Sequence, residues 1–171
     1  AELESVKGDE EQILDRFYRD LEFGTGGLRG VIGAGTNRIN VYTVGRATQG
    51  LANYLNEAFS EPSVAIAYDS RIKSQVDVFA EATALILAAN GIKVYIYPEL
   101  MPTPMLSFAV RRLGCSSGIV ITASHNPSKY NGYKCSDPRG YQMTDEAAAR
   151  TYEYMQKVDV FDGIKRMDFV D

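Results

Sequence analysis

Short continuous apolar runs alternate along this chain with longer segments whose apolar residues recur every three to four positions. That alternation of strand-like and helix-like patterns predicts a layered α/β fold. Asp9 and Gln12 suggest a capping box for a helix with Ile13, Leu14, Phe17, Tyr18 and Leu21 on one face. The glycine-dense "FGTGGLRGVIGAG" is too flexible for a helix and reads as a loop leading into a strand. Across residues 41–59, Val44, Thr48, Leu51 and Leu55 recur at helical spacing. "SVAIAYD" then reads as a strand buried on both faces.

The alternation continues. Val76, Phe79, Ala80, Thr83, Ile86 and Leu87 form another helical stripe, closed by Asn90 and Gly91. "KVYIYP" is the next strand. Thr103 is expected to cap a helix with Pro104 at its first position, and Leu106, Ala109, Val110 and Leu113 face inward until Gly114 stops it. "SGIVITA" is a third buried strand, with "GYKCS" expected to pair beside it. Thr144 opens a last helix, where Asp145 and Glu146 suit the N-terminal dipole. The expected fold is a mixed, largely parallel sheet sandwiched between helices, joined by right-handed crossovers. Asp69, Pro98 and Ser124 each lie just past a strand's carboxyl end, the edge where such sheets bind ligands. There is no internal repeat, low-complexity segment or linker, so residues 1–171 are expected to form one domain.

Composition narrows the function classes. The 171 residues suffice for one full-sized core, and 45% hydrophobic with 23% charged residues is ordinary globular usage. A net charge of −4 and a pI near 5.1 argue against nucleic acid as the main partner. Cys115 and Cys135 form no CxxC pair, which points to a reducing, cytoplasmic setting, and with one histidine a zinc site is not expected. No run approaches the roughly 20 apolar residues that span a bilayer, so no membrane partner is expected. Both ends read as abrupt. "AELESVKG" resembles the tail of an earlier helix and "KRMDFVD" stops on an apolar run, so the chain is expected to be a piece of a longer protein.

The polar loops hold the candidate chemistry. In "FGTGGLRG" the glycines do not complete G-x-G-x-x-G, because Arg29 stands where the third should be, and the stretch follows a helix rather than a strand. Two readings stay open there: a flexible connector, or backbone N–H groups beside Thr25 and Arg29 that contact a phosphate. In "TASHNP" a serine hydrolase is disfavoured, since neighbours on extended backbone point apart and no G-x-S-x-G elbow is present. A phosphoryl group on Ser124 would carry roughly −1.5 to −2 charges. Arg29, His125, Asn126, Lys129 and Lys134 could supply its donors if the loops meet; the bland alternative is an Asx-type turn with a surface histidine. In "AYDSRIKS", Asp69, Arg71 and Lys73 read as a helix-entry loop with a salt bridge.

"TASHNP" followed by "NGYK", with "FGTGGLRG" and "YDSR" upstream, resembles the first domain of the α-D-phosphohexomutase family, which includes phosphoglucomutases and phosphomannomutases. The opening "LEFGTGGLRGVIGAGTNRIN" is similar to bacterial phosphoglucomutases of the phosphopentomutase-like branch. The resemblance implies that Ser124 is the phosphorylated serine, exchanging its phosphoryl group with a sugar monophosphate through a bisphosphorylated intermediate. It implies that Arg29, Thr25 and Asn126 line the phosphate, that Lys134 stands near the acceptor oxygen, and that His125 orients the site or shuttles a proton. It also implies Mg²⁺, held partly through the phosphoserine oxygen at Ser124, and glucose 1,6-bisphosphate as activator. The family's acidic metal loop, sugar-recognition loop and C-terminal phosphate loop have no counterpart in this sequence. The chain is therefore expected to be the first domain of a four-domain enzyme, inactive alone, whose partners are a sugar phosphate and the remaining domains. A second reading is a non-catalytic module that binds a phosphorylated ligand or a partner through the same loops.

Overall fold

The computed structural model describes residues 2–70 and 73–168, with the side chains of 73–77 left undescribed. Arg71 lies outside the described residues, as do the side chains of Lys73 and Val76.

Five strands form one sheet: β1 (Gly27–Val31), β2 (Ser63–Tyr68), β3 (Lys93–Ile96), β4 (Ser117–Ile121) and β5 (Tyr130–Ser136), in the order β1-β5-β4-β2-β3. β2 pairs in parallel with both β3 and β4. β5 is antiparallel to β4 and β1 is antiparallel to β5, so every strand except β5 points the same way. The helices are α1 (Glu2–Ser5), α2 (Glu10–Phe17), α3 (Val41–Ala58), α4 (Lys73–Ala89), α5 (Thr103–Leu113) and α6 (Asp145–Gln156). The path steps outward from β2 to β3 through α4, then back across β2 to β4 through α5. Crossovers of one hand change faces when the direction of travel reverses, which puts α4 and α5 on opposite sides of the sheet.

Strand alternation divides the core accordingly. Ile66, Ile119, Ile121 and Tyr133 face α3, α4 and α6, among Val44, Leu51, Leu55, Phe79, Leu87 and Met155. Ala65, Ala67 and Val120 face α5, against Leu106, Ala109 and Val110. The fully buried Tyr133 hydroxyl accepts from Thr48 Oγ1 at 3.1 Å. Burial holds that phenol well above its ordinary pKa.

Most predicted elements are present, including the stripes of α3 and α4, the Gly114 stop at φ 65°, and the Thr144 cap, which accepts from the Ala147 N–H. Several details differ. Asp9 accepts from the Gln12 backbone, but the reciprocal capping box belongs instead to Asn40 and Thr43 at the start of α3. Pro102 rather than Thr103 caps α5, because the Met105 N–H bonds to the Pro102 carbonyl and starts the turn one residue earlier. Leu113 is 46% exposed at the end of α5, where the chain turns away. The apolar face of α2 points outward: Ile13, Leu14, Phe17 and Tyr18 are exposed, and of that set only Leu21, beyond the helix, is buried. Polar contacts turn α2 the other way. Arg16 Nη1 donates to Glu2 at 2.6 Å and to the Ala34 carbonyl at 3.0 Å, while Arg38 pairs with Asp15.

Candidate active site

The ends of β2, β3 and β4 meet at one edge, as the sequence implies. The Asp69 N–H donates to the Ile121 carbonyl, Tyr97 to Ile66, and Met101 to Tyr68. Beyond β4, Thr122 remains tied to β5 through its N–H to the Gly132 carbonyl at 2.9 Å. The chain then breaks from the sheet. The Ser124 N–H donates to Thr122 Oγ1 at 3.0 Å, and the Asn126 N–H to the Ala123 carbonyl at 3.1 Å.

Ser124 has φ 57°, the only positive φ at a non-glycine position among the described residues. A left-handed conformation costs an L-residue about 1–2 kcal/mol, so the surrounding bonds must hold it. This bend brings the exposed Ser124 Oγ to 3.4 Å from His125 Nδ1. The expectation that these neighbours point apart is thus corrected, because Ser124 is not on extended backbone. No carboxylate bonds the His125 ring among the described residues, so the third member of a hydrolase triad is missing there.

Two cations stand on the neighbouring strands, Lys134 one strand from β4 and Arg29 two. Lys134 stands on β5 between buried Tyr133 and Cys135, so its side chain takes the opposite face, in register with Val120 on β4 and Gly27 on β1. Arg29 likewise alternates with buried Leu28 and lies in register with Gly132. Thr25, Gly26, Gly27, Leu28, Arg29, Lys134 and Gln142 line a cavity of about 330 Å³. Thr122, Gly132 and Arg29 form one row across three strands, so the serine loop leaves the sheet about 10 Å from Arg29, two strand spacings.

The glycine stretch is a turn at Thr25 and Gly26 leading into β1, as the loop-then-strand reading expects, rather than a flexible connector. A Cβ on Gly27 would lie 1.9 Å from the Tyr133 carbonyl oxygen, and Gly26 has φ 81°. These glycines let β1 lie against β5, reinforced by the Cys135 N–H to the Gly26 carbonyl at 2.6 Å. Thr25 is held at the rim by Gln142, whose Nε2 donates to its carbonyl at 2.8 Å. The sequence reading missed Gln142, which bears no local signal, and Thr122, which reads as one more strand residue.

Of the sequence-predicted site residues, Thr25, Arg29 and Lys134 thus share one cavity, and Ser124, His125 and Asn126 share the neighbouring loop. Lys129 is exposed at the far end of that loop, over the Tyr130 ring. A Mg²⁺ site does not fit the donors present. No cluster of three metal-ligating side chains occurs among the described residues, and Ser124 offers one oxygen where a hard cation needs several. No helix among the described residues is long and apolar enough to cross a membrane.

Residues 20–160 match the profile of the phosphoglucomutase/phosphomannomutase alpha/beta/alpha domain I. The chain is 41% identical over 160 residues to a phosphoglucomutase of Staphylococcus saprophyticus, covering 94% of this chain and 29% of that protein. It is 44% identical over 142 residues to a phosphoglucomutase of Staphylococcus haemolyticus, covering 83% of this chain and 26% of that one. A crystal structure from Thermus thermophilus named for phosphomannomutase superposes with a TM-score of 0.74 at 35% identity, over 80% of this chain and 30% of its own. The chain therefore spans under a third of the length of these relatives.

Proposed function

The chain belongs to the phosphoglucomutase/phosphomannomutase family, whose alpha/beta/alpha domain I it matches, and on that premise we propose that Ser124 is the phosphoryl carrier of a sugar-phosphate mutase. The full-length protein interconverts a hexose 1-phosphate and 6-phosphate in the cytoplasm, with glucose as the sugar because the similar curated relatives are named phosphoglucomutases. Residues 1–171 act as one domain, inactive without the others.

The observation that carries this reading is the exposed hydroxyl of Ser124, held on a left-handed turn at the edge where Arg29, Lys134 and Thr25 gather around one cavity. A phosphoserine suits that edge. Its monoester hydrolyses extremely slowly without catalysis, so it persists until a substrate hydroxyl is aligned. In the forward step the sugar hydroxyl oxygen bonds to phosphorus as the bond from phosphorus to Ser124 Oγ breaks. The hydroxyl proton leaves the sugar, and Ser124 Oγ regains one. The bisphosphorylated sugar then turns over and returns its other phosphate to Ser124.

Arg29 offers a planar guanidinium to two phosphate oxygens, and Lys134 a compact positive charge near the acceptor. His125 Nδ1, beside Ser124 Oγ, is placed to exchange a proton with that oxygen. Thr25 and Asn126 bound the phosphate on either side. Catalysis then comes mostly from alignment and charge stabilisation.

The test is to incubate the full-length protein with glucose 1,6-bisphosphate and map the phosphate by peptide mass spectrometry. The reading expects phosphate on the peptide bearing Ser124, and none after Ser124→Ala. A phosphate mapped stably elsewhere, with Ser124 unmodified, would sink it.

A further inference from the structure

The geometry points to Thr122 and Asp69 as positioning residues that hold Ser124 in its reactive conformation, an inference that rests on the carrier role given to Ser124 above. Thr122 is the last residue tied to the sheet and is 6% exposed. Its hydroxyl sits between two partners of opposite kind. Oγ1 donates to Asp69 Oδ2 at 2.5 Å and accepts from the Ser124 N–H at 3.0 Å.

A threonine hydroxyl has one proton and two lone pairs. The Asp69 carboxylate is acceptor-only and claims the proton, which leaves only lone pairs facing Ser124. The direction of the second bond is therefore dictated by the first. Asp69 is itself fixed, because it directly follows β2 and its N–H donates to the Ile121 carbonyl. The chain of contacts thus runs from the rigid parallel pair β2–β4 to the backbone of the one described non-glycine residue with positive φ. Neither side chain lines the cavity of Arg29 and Lys134. Their part is to set where Ser124 Oγ stands, not to bind substrate.

This separates two kinetic consequences. Thr122→Val keeps the shape and removes both bonds, so Ser124 relaxes towards negative φ and its oxygen moves. A displacement of about 1 Å from an aligned geometry lowers turnover on the order of 100-fold. Sugar-phosphate binding should change little, since the phosphate-facing cations are untouched. Thr122→Ser restores the hydroxyl and should recover most of the rate, which a purely packing role for the threonine methyl would not allow.

The experiment uses the full-length protein, comparing wild type, Ser124→Ala, Thr122→Val, Thr122→Ser, Asp69→Asn and the double variant Thr122→Val/Asp69→Asn. It measures kcat and KM for glucose 1-phosphate and a thermal melt for each. The expected result is a fall in kcat for Thr122→Val at nearly constant KM, recovery in Thr122→Ser, and no further loss when Asp69→Asn is added to Thr122→Val. If Thr122→Val melts too early to assay, the contrast of Thr122→Ser and a further variant, Asp69→Leu, against wild type carries the test, because leucine removes the acceptor that asparagine would keep: a lower kcat at unchanged KM in Asp69→Leu supports the relay, and wild-type kcat there overturns it. Wild-type kcat in Thr122→Val, with Ser124→Ala inactive, overturns the positioning role and leaves the carrier reading standing. Activity in Ser124→Ala overturns both.

Discussion

Adding one methyl group at Gly27 is expected to pry β1 away from β5. An ideal Cβ there falls 1.9 Å from the Tyr133 carbonyl oxygen and 2.9 Å from Lys134 Cα. Ordinary contact begins at 3.4 Å, so β1 must retreat by roughly 1.5 Å, the difference between 3.4 and 1.9 Å. Both obstructing atoms are backbone, and no rotamer change relieves them. The retreat strains the five-residue β1–β5 pairing and uncovers Leu28, which is 2% exposed. A loss of about 3 kcal/mol, the upper end of ordinary overpacking, is expected. At about 2–4 °C per kcal/mol for a chain of this size, Gly27→Ala should melt about 6–12 °C below wild type. Gly24→Ala is the matched control, because its Cβ would meet nothing nearer than the Gly27 carbonyl oxygen at 4.0 Å. Differential scanning fluorimetry reads both. Melts for Gly27→Ala and Gly24→Ala that coincide would refute the claim that close strand packing dictates the glycine.

Three further outcomes follow from particular side chains. Lys134→Met in the full-length protein should lower kcat by about 10²–10³-fold, the scale for removing one charge-stabilising donor, and near-wild-type rates in a coupled assay would remove Lys134 from the mechanism. Burial pushes the thiols of Cys115 and Cys135 up from their ordinary pKa, so an alkylating reagent at neutral pH should label neither in the folded chain and both in denaturant, read as a mass shift. The Tyr154 hydroxyl and then the Arg150 guanidinium hold the Glu57 carboxyl below its ordinary 4.5. A pKa depressed in the fold contributes stability above 4.5 that is lost as pH falls through the folded value. Glu57→Gln should therefore lower the melting temperature at neutral pH and converge with wild type in acid; a gap that is constant with pH would contradict this assignment.

Elements buried on both sides were the most legible in the sequence. "SVAIAYD" and "SGIVITA" are continuous apolar runs because sheet-facing residues on both faces are covered, by α4 on one side and α5 on the other. The exposed stripe of α2 shows that periodicity reports an apolar face, not that anything covers it. Arg16 and Asp15, which the pattern assigns to solvent, are the residues that bind the 34–38 segment. The site divided in the same way. Ser124, His125, Lys134 and Arg29 stood out as candidates because the motifs that hold them are specific. That Arg29 and Lys134 share a sheet face depends on the β1–β5 register, a long-range pairing that no local pattern encodes. The left-handed φ of Ser124 was equally hidden, since it is imposed by Thr122 rather than by the serine itself.

The most direct test of the account is the conversion of glucose 1-phosphate to glucose 6-phosphate by the full-length protein, followed by a coupled dehydrogenase assay with Mg²⁺ and a trace of glucose 1,6-bisphosphate, beside its Ser124→Ala variant. The account predicts turnover in the wild type and its collapse in the variant, with both folded by thermal melt. Turnover that survives the loss of the Ser124 hydroxyl would contradict it.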